Sequence, residues 1–231
     1  MKSEDGIRIL RDIHAVPEGS SCAMIIRHAD RGGELGQIVR NDEGLNETGI
    51  RRARELGSRL TRFNMLKAFS SPVGRCVDTA KLISEGFGQG IVPERTELLG
   101  MSAPFMVDTK RAYDKMRELG LIGFVDLYVN DKIDRSIALP CGQGMKMLLS
   151  YAIEKIKDMD NGLGLFITHD MIITPPMAYY FGYDFRTKGL VPFLDGIILY
   201  RTDNGLVARY DGREIPVSEE GTPLEKWGSV P

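Results

Sequence analysis

The sequence predicts an α/β fold in three layers, a mostly parallel central sheet with helices on both faces, extended by a helical cap insertion. Three observations predict it. Short apolar runs of strand length alternate with longer stretches whose apolar residues recur at helical spacing. The runs are continuously apolar, as expected of strands covered on both faces. Residues able to do chemistry follow directly after these runs, at the carboxyl ends where ligands gather in open parallel sheets.

At 231 residues the chain has room for one sizeable domain, read here as 1–231, with the insertion at approximately 98–141. The first strand is Cys22-Ala23-Met24-Ile25-Ile26, which breaks into the charged loop Arg27-His28-Ala29-Asp30-Arg31-Gly32-Gly33. Over 48–63, Ile50, Ala53, Leu56, Leu60 and Phe63 recur at helical spacing, with Asn46 or Thr48 available as N-cap. A second strand over 66–69 leads into Ser70-Ser71-Pro72, where serine before proline predicts a helix start and places Arg75 in the first turn. That helix is expected to run to about residue 83. Residues 98–141 mix aromatics with charge and read as largely helical. Met145, Leu148, Leu149, Ala152 and Ile156 mark another helix. A third strand, 163–168, ends in His169-Asp170, and Asp203-Asn204-Gly205 predicts a hairpin between 196–200 and 206–210.

Composition narrows the class of protein. A hydrophobic fraction of 42% with a net charge of -2 fits a folded globular chain and gives no global attraction to nucleic acid or an anionic membrane. The mixed charges of the first residues predict no secretory leader. Three widely spaced cysteines, Cys22, Cys76 and Cys141, predict free thiols in a reducing compartment, with the cytoplasm as the expected location.

Two of the three histidines close apolar strands, whereas His14 lies in a polar stretch and reads as structural. Beside His28, Arg27 and Arg31 offer planar forks that match phosphate oxygens, and glycines let the backbone approach an anion. Arg75 taken alone is equally a solvated helix residue pairing with Asp78 or Glu47. At a helix N-terminus, however, it adds a full charge where free N–H groups already favour anions. His169 is either a satisfied buried histidine or part of the site, and Asp170 either simply caps the helix that follows or does so while also donating a proton. Together they put three strand ends at one place.

At these residues the chain resembles the histidine phosphatase superfamily, the phosphoglycerate mutase and acid phosphatase group. The matching segments are Arg27-His28-Ala29-Asp30-Arg31, Leu45-Asn46-Glu47-Thr48-Gly49, Ser70-Ser71-Pro72 through Arg75 to Thr79-Ala80, and Thr168-His169-Asp170. The resemblance implies a phosphoglycerate mutase-like fold and a phosphohistidine intermediate on His28, with phosphoryl oxygens held by Arg27, Arg31, Arg75 and His169. It implies a proton donor of one of two kinds. Asp170 matches the acid phosphatase branch, as Arg31 does, although Gly33 stands where that branch carries proline. Glu97 lies where the mutase-like branch places a glutamate. Ala29 replaces the signature glycine with another small residue.

The expected activity is therefore metal-independent hydrolysis of a small phosphorylated substrate, with no cofactor. A phosphomutase shares the intermediate, but the cap segment Lys110-Arg111-Ala112-Tyr113-Asp114 is not the mutase motif. A non-catalytic phospholigand-binding module on the same fold is the reading from another class. Substrate recognition is expected in the insertion. There Lys110, Arg111, Lys115, Lys132 and Arg135 either bind a second acidic group or are solvated, and Phe105, Tyr113, Phe124 and Tyr128 either line a pocket or pack the cap.

Overall fold

A computed structural model describes residues 7–32, 43–101, 103 and 105–224. Gly33 and the ends of the chain lie outside the described residues. In chain order the elements are helix α1 (Ile9–Ile13), strand β1 (Cys22–Arg27), α2 (Glu47–Ser58), β2 (Met65–Ser70), α3 (Gly74–Phe87) and β3 (Glu94–Arg95). A 3-10 turn (Glu97–Leu99) precedes α4 (Thr109–Val129), α5 (Cys141–Ile156), β4 (Gly162–Thr168), α6 (Asp170–Phe181) and α7 (Phe185–Lys188). The chain then finishes in β5 (Gly196–Thr202), β6 (Gly205–Tyr210) and β7 (Arg213–Val217).

The expected α/β layering is borne out. The sheet runs β3-β2-β4-β1-β5-β6-β7, parallel from β3 through β1 and antiparallel from β1 through β7. Every residue of β1 and β4 is buried, which explains why both read as unbroken apolar runs. Their side chains alternate between two cores. Ala23 and Ile25 join Phe166 in the core beneath α4, α5 and α6. Cys22, Met24 and Ile26 join Leu163, Leu165 and Ile167 in the core beneath α1, α2 and α3. No helix among the described residues is long and apolar enough to cross a membrane.

Several boundaries differ from the sequence reading. The second helix ends at Ser58, although Leu60 and Phe63 remain buried in the turns that follow. The next helix starts at Gly74, with Val73 as N-cap, rather than at Pro72. The serine expected to cap it, Ser71, lies with its Oγ 2.8 Å from His169 Nε2 and also accepts from Val73 N at 3.3 Å, just ahead of the helix. That helix also runs past residue 83 to Phe87, where Gly88 takes a left-handed conformation (φ 91°) and caps it. Asp170 is the first residue of α6, and His169 is its N-cap.

Residues 98–141 hold one long helix, α4, interrupted at Gly120 (φ 71°, ψ 164°). Phe105, Phe124 and Tyr128 are buried in the core shared with the sheet, and Tyr113 packs half-buried against it. Lys110, Arg111, Lys132 and Arg135 are exposed, and Lys115 pairs with Glu118 at 2.8 Å. Phe105, Phe124 and Tyr128 thus pack in the core, whereas Tyr113 lies near enough to Arg75 to feel its charge.

Helices α2 and α3 meet at backbone contact. A Cβ on Gly57 would come within 2.0 Å of the Ile83 carbonyl, and one on Gly86 within 2.1 Å of the Arg54 carbonyl. This approach fixes how closely α3, the helix that carries Arg75, lies along α2. Replacing Gly57 by alanine forces the helices apart. We expect a loss of about 1–3 kcal/mol, as for other overpacked sites, seen as a fall of several degrees in Tm. An unchanged Tm would show that the pair tolerates separation.

Candidate active site

Backbone hydrogen bonds carry the ladder past the strand ends and hold three loops side by side. His28 N donates to the Thr168 carbonyl at 3.0 Å, and Ser71 N donates to the Ile167 carbonyl at 2.9 Å. His28, Ser71 and His169 are thereby delivered to one corner by β1, β2 and β4. His28 and His169 are 2% and 1% exposed, and their ring centroids stand 5.6 Å apart.

Arg75 sits between the two rings. Its Nε donates to His28 Nε2 at 3.1 Å, and its Nη2 lies 3.3 Å from His169 Nδ1. A guanidinium has only donors, so both ring nitrogens it faces must be lone pairs. The remaining contacts agree with that assignment. His28 Nδ1 lies 2.8 Å from the Ala29 carbonyl and must donate to it. His169 Nε2 donates to Ser71 Oγ. Each imidazole is therefore neutral, with its tautomer fixed by its partners. Burial drives both away from the charged form: first burial, then the neighbouring His169, Arg27 and Arg75, hold His28 well below its ordinary value. Burial, Arg75 and Arg27 bring His169 down to about 3.

Arg27 is 1% exposed. Its Nη1 donates to the Val191 carbonyl at 2.7 Å, and its Nη2 lies 2.6 Å from Asp170 Oδ2. Its Nε is buried with no hydrogen-bond partner among the described residues. A buried, under-satisfied guanidinium is costly unless something occupies the position it addresses. The other Asp170 oxygen accepts from Met171 N at 2.8 Å. Arg31, 6% exposed, donates to the Gly32 carbonyl at 2.7 Å and lies 3.6 Å from Glu43. It is also near enough to Asp170 and Arg75 to feel their charges.

Two motif segments act as braces. Asn46 Nδ2 donates to the Arg31 carbonyl at 2.9 Å, and Asn46 N donates to the Asp30 carbonyl at 3.1 Å. Gly49 is needed in the same place, because a Cβ there would lie 2.1 Å from the Asp30 carbonyl. Thr79 Oγ1 accepts from Ala29 N at 3.0 Å and donates to the Arg75 carbonyl at 2.7 Å, tying the His28 loop to α3.

The structure therefore gathers Arg27, His28, Arg31, Arg75, His169 and Asp170 at the carboxyl edge of the parallel strands. Glu97 is exposed in its 3-10 turn, and its carboxylate folds over Gly100 beside Pro72. That turn is tied to β4 through Thr168 Oγ1, which donates to the Leu99 carbonyl at 2.7 Å. Sequence reasoning missed three residues. The Ser-Ser-Pro motif holds Ser71, but it read as a helix start and as part of the resemblance, with no role given to Ser71 itself. Thr79 carried no separate signal. Phe193, whose ring centroid lies 4.0 Å from Arg27 Cζ and 5.5 Å from the His28 ring, stands in a loop without any recognisable pattern.

A three-layer α/β protein with paired neutral imidazoles and three guanidinium groups at its carboxyl edge is the class that fold and site define. Residues 23–99 match the Histidine phosphatase superfamily (branch 1), which bears out the resemblance read from the motifs. The matched segment holds Arg27, His28, Arg31, Arg75 and Glu97, and His169 and Asp170 lie beyond it. Comparison with curated protein sequences finds no match. Among solved structures, Bacillus stearothermophilus YhfR is similar in fold, with a TM-score of 0.51 and 17% identity, over 87% of this chain and 99% of that one. A mutant phosphoserine phosphatase from Entamoeba histolytica in complex with phosphoserine is also similar, with a TM-score of 0.52 and 13% identity, over 82% of this chain and 95% of that one.

The two depressed histidines give stability a pH dependence of definite sign. Unfolded, each takes up a proton near its ordinary 6.5, whereas folded His169 resists to about 3. The unfolded chain thus binds more protons between those values, and stability falls as pH drops through that window. Denaturant unfolding at pH 7 and pH 4.5 should show this loss. A His169→Gln protein should lose less stability between the two, and an equal loss would contradict the assignment.

Proposed function

We propose that the protein is a metal-independent phosphomonoester hydrolase that passes the phosphoryl group of a small substrate through His28. One observation carries this reading. His28 commits its Nδ1 proton to a main-chain carbonyl and keeps an Nε2 lone pair facing Arg75, beside His169 and within the reach of Arg27. A neutral imidazole held in that tautomer is a nucleophile already oriented. Cys22, Cys76 and Cys141 are buried and not joined in disulfides among the described residues, which suits a reducing compartment, and the reading extends to a cytoplasmic enzyme.

Phosphoryl transfer has a loose transition state, so positioning and charge stabilisation provide most of the acceleration. The Arg75 N–H on the His28 lone pair moves to an equatorial oxygen as the substrate enters. The lone pair then attacks phosphorus in line, the N–P bond forms and the P–O bond to the leaving group breaks. Arg27 and Arg31 supply the remaining donors in a site where low dielectric strengthens each contact, while His169, its Nε2 proton held by Ser71, keeps its lone pair on Arg75 and so holds that guanidinium in place. Water next attacks the phosphohistidine, releasing inorganic phosphate and restoring the imidazole.

The leaving alkoxide needs a proton, and we assign Asp170 to give it. Its Oδ2 now faces Arg27. A phosphate dianion competes for that guanidinium and leaves Oδ2 free to face the leaving oxygen. Asp170 would later take the proton back from the attacking water. Glu97, within the branch 1 match and close to Pro72, is the alternative donor.

Turnover of a chromogenic phosphomonoester tests the whole reading. We expect His28→Ala to abolish it and Arg75→Ala to lower kcat/KM on the order of a hundredfold, as for loss of a single oxyanion donor. Near-normal turnover by Arg75→Ala would refute the pocket. The donor shows itself through the leaving group. Asp170→Asn should slow alkyl phosphates far more than nitrophenyl phosphate, and that pattern appearing in Glu97→Gln instead would move the role to Glu97.

A further inference from the structure

The loop between α7 and β5 grips Arg27 at four points. The Val191 carbonyl accepts from Nη1 at 2.7 Å. The Phe193 ring covers the guanidinium face at 4.0 Å. Leu194 N donates to the Arg27 carbonyl at 3.2 Å, and Arg27 N donates to the Asp195 carbonyl at 3.0 Å. Backbone and side chain of one residue are thus held by the same five-residue segment.

This grip requires an unusual backbone. Leu194 adopts φ 57°, a left-handed conformation that residues with a Cβ rarely take. Such a conformation persists where the surroundings over-determine it. Here they do: the Leu194 side chain is fully buried in the core beneath α1, α2 and α3. Asp195 next to it accepts from Arg8 Nε at 2.8 Å through both carboxylate oxygens. With Leu194 pointing into one core, Phe193 is left half-buried over the site, its ring tilted 42° to His28 at 5.5 Å. A space-filling aromatic would be expected deeper.

We propose that Phe193 is a positioning residue that sets the plane of the Arg27 guanidinium, and the seat of the His28 ring, for a tetrahedral anion. The inference deepens the hydrolase reading and rests on it for the identity of the anion. A guanidinium donates only within its plane, so the face that Phe193 covers decides where Nε points, an atom with no hydrogen-bond partner among the described residues. An aromatic ring does this and adds attraction between its π face and the cation.

The test uses the full chain and inorganic phosphate, whose binding by calorimetry needs no turnover. We expect Phe193→Leu to weaken phosphate roughly tenfold and raise KM for nitrophenyl phosphate in step, with Tm within a few degrees of wild type. Phe193→Trp, which keeps a ring, should stay within about twofold of wild type. Fluorinated phenylalanines at this position keep size and fold while draining the ring's π charge, and phosphate affinity should fall with each fluorine. Wild-type phosphate affinity in Phe193→Leu, or a flat fluorine series, overturns the proposal. Should Phe193→Leu fail to fold, the fluorine series decides alone. Ring-dependent phosphate binding without turnover of any phosphomonoester would remove the hydrolase reading and leave the positioning role standing. Turnover indifferent to the ring would do the reverse, and no phosphate binding by wild type would remove both.

Discussion

Arg75 lies between two imidazoles, donating to His28 Nε2 while its Nη2 faces His169 Nδ1, and much of the site follows from that arrangement. A donor-only group between two rings requires a lone pair on each, so both are neutral and each proton is forced to the far nitrogen. Ala29 and Ser71 then accept those protons. For Arg75 to reach both rings, α3 must begin at Gly74 and lie close along α2, and the glycine contacts at Gly57 and Gly86 secure that closeness. For the rings to stand 5.6 Å apart, β1 and β4 must be neighbours in parallel register, as they are.

The same corner concentrates positive charge out of water. Arg27, Arg31 and Arg75 are all buried, with Asp170 facing Arg27 and Glu43 at the edge of Arg31. Burying charge without full compensation is unfavourable, and the Arg27 Nε has no hydrogen-bond partner among the described residues. The rest of the molecule carries that cost through extensive apolar burial on both faces of the sheet. What results is a buried corner whose donors are gathered before any anion arrives.

The layers, β1, β4 and the convergence of Arg27, His28, Arg75 and His169 were legible because continuous apolar runs ended in charge. That signal is local and survives without tertiary context. Glu94–Arg95 was not legible as a strand, since two exposed charged residues owe their conformation to pairing with Phe69 and Ser70. Arg213–Val217 was hidden by Pro216, which is tolerated because the strand lies at the sheet's edge. Ser71 was misread for a physical reason: a serine before proline has two possible partners, a helix N–H or a distant imidazole, and spacing cannot choose between them. Phe193 was invisible because its importance comes from Leu194's backbone, and leucine, unlike glycine, asparagine or aspartate, does not advertise a positive φ.

The acceptor of the His28 Nδ1 proton is the peptide oxygen of Ala29, not a side chain. Point mutation cannot delete a peptide oxygen, so the orientation of this ring is shielded from the commonest kind of genetic damage. It also explains why alanine can stand where the related signature carries glycine: either residue presents the same oxygen. Drift at this position is therefore limited by the volume available around a fully buried Cβ, and the chemistry of the side chain hardly enters.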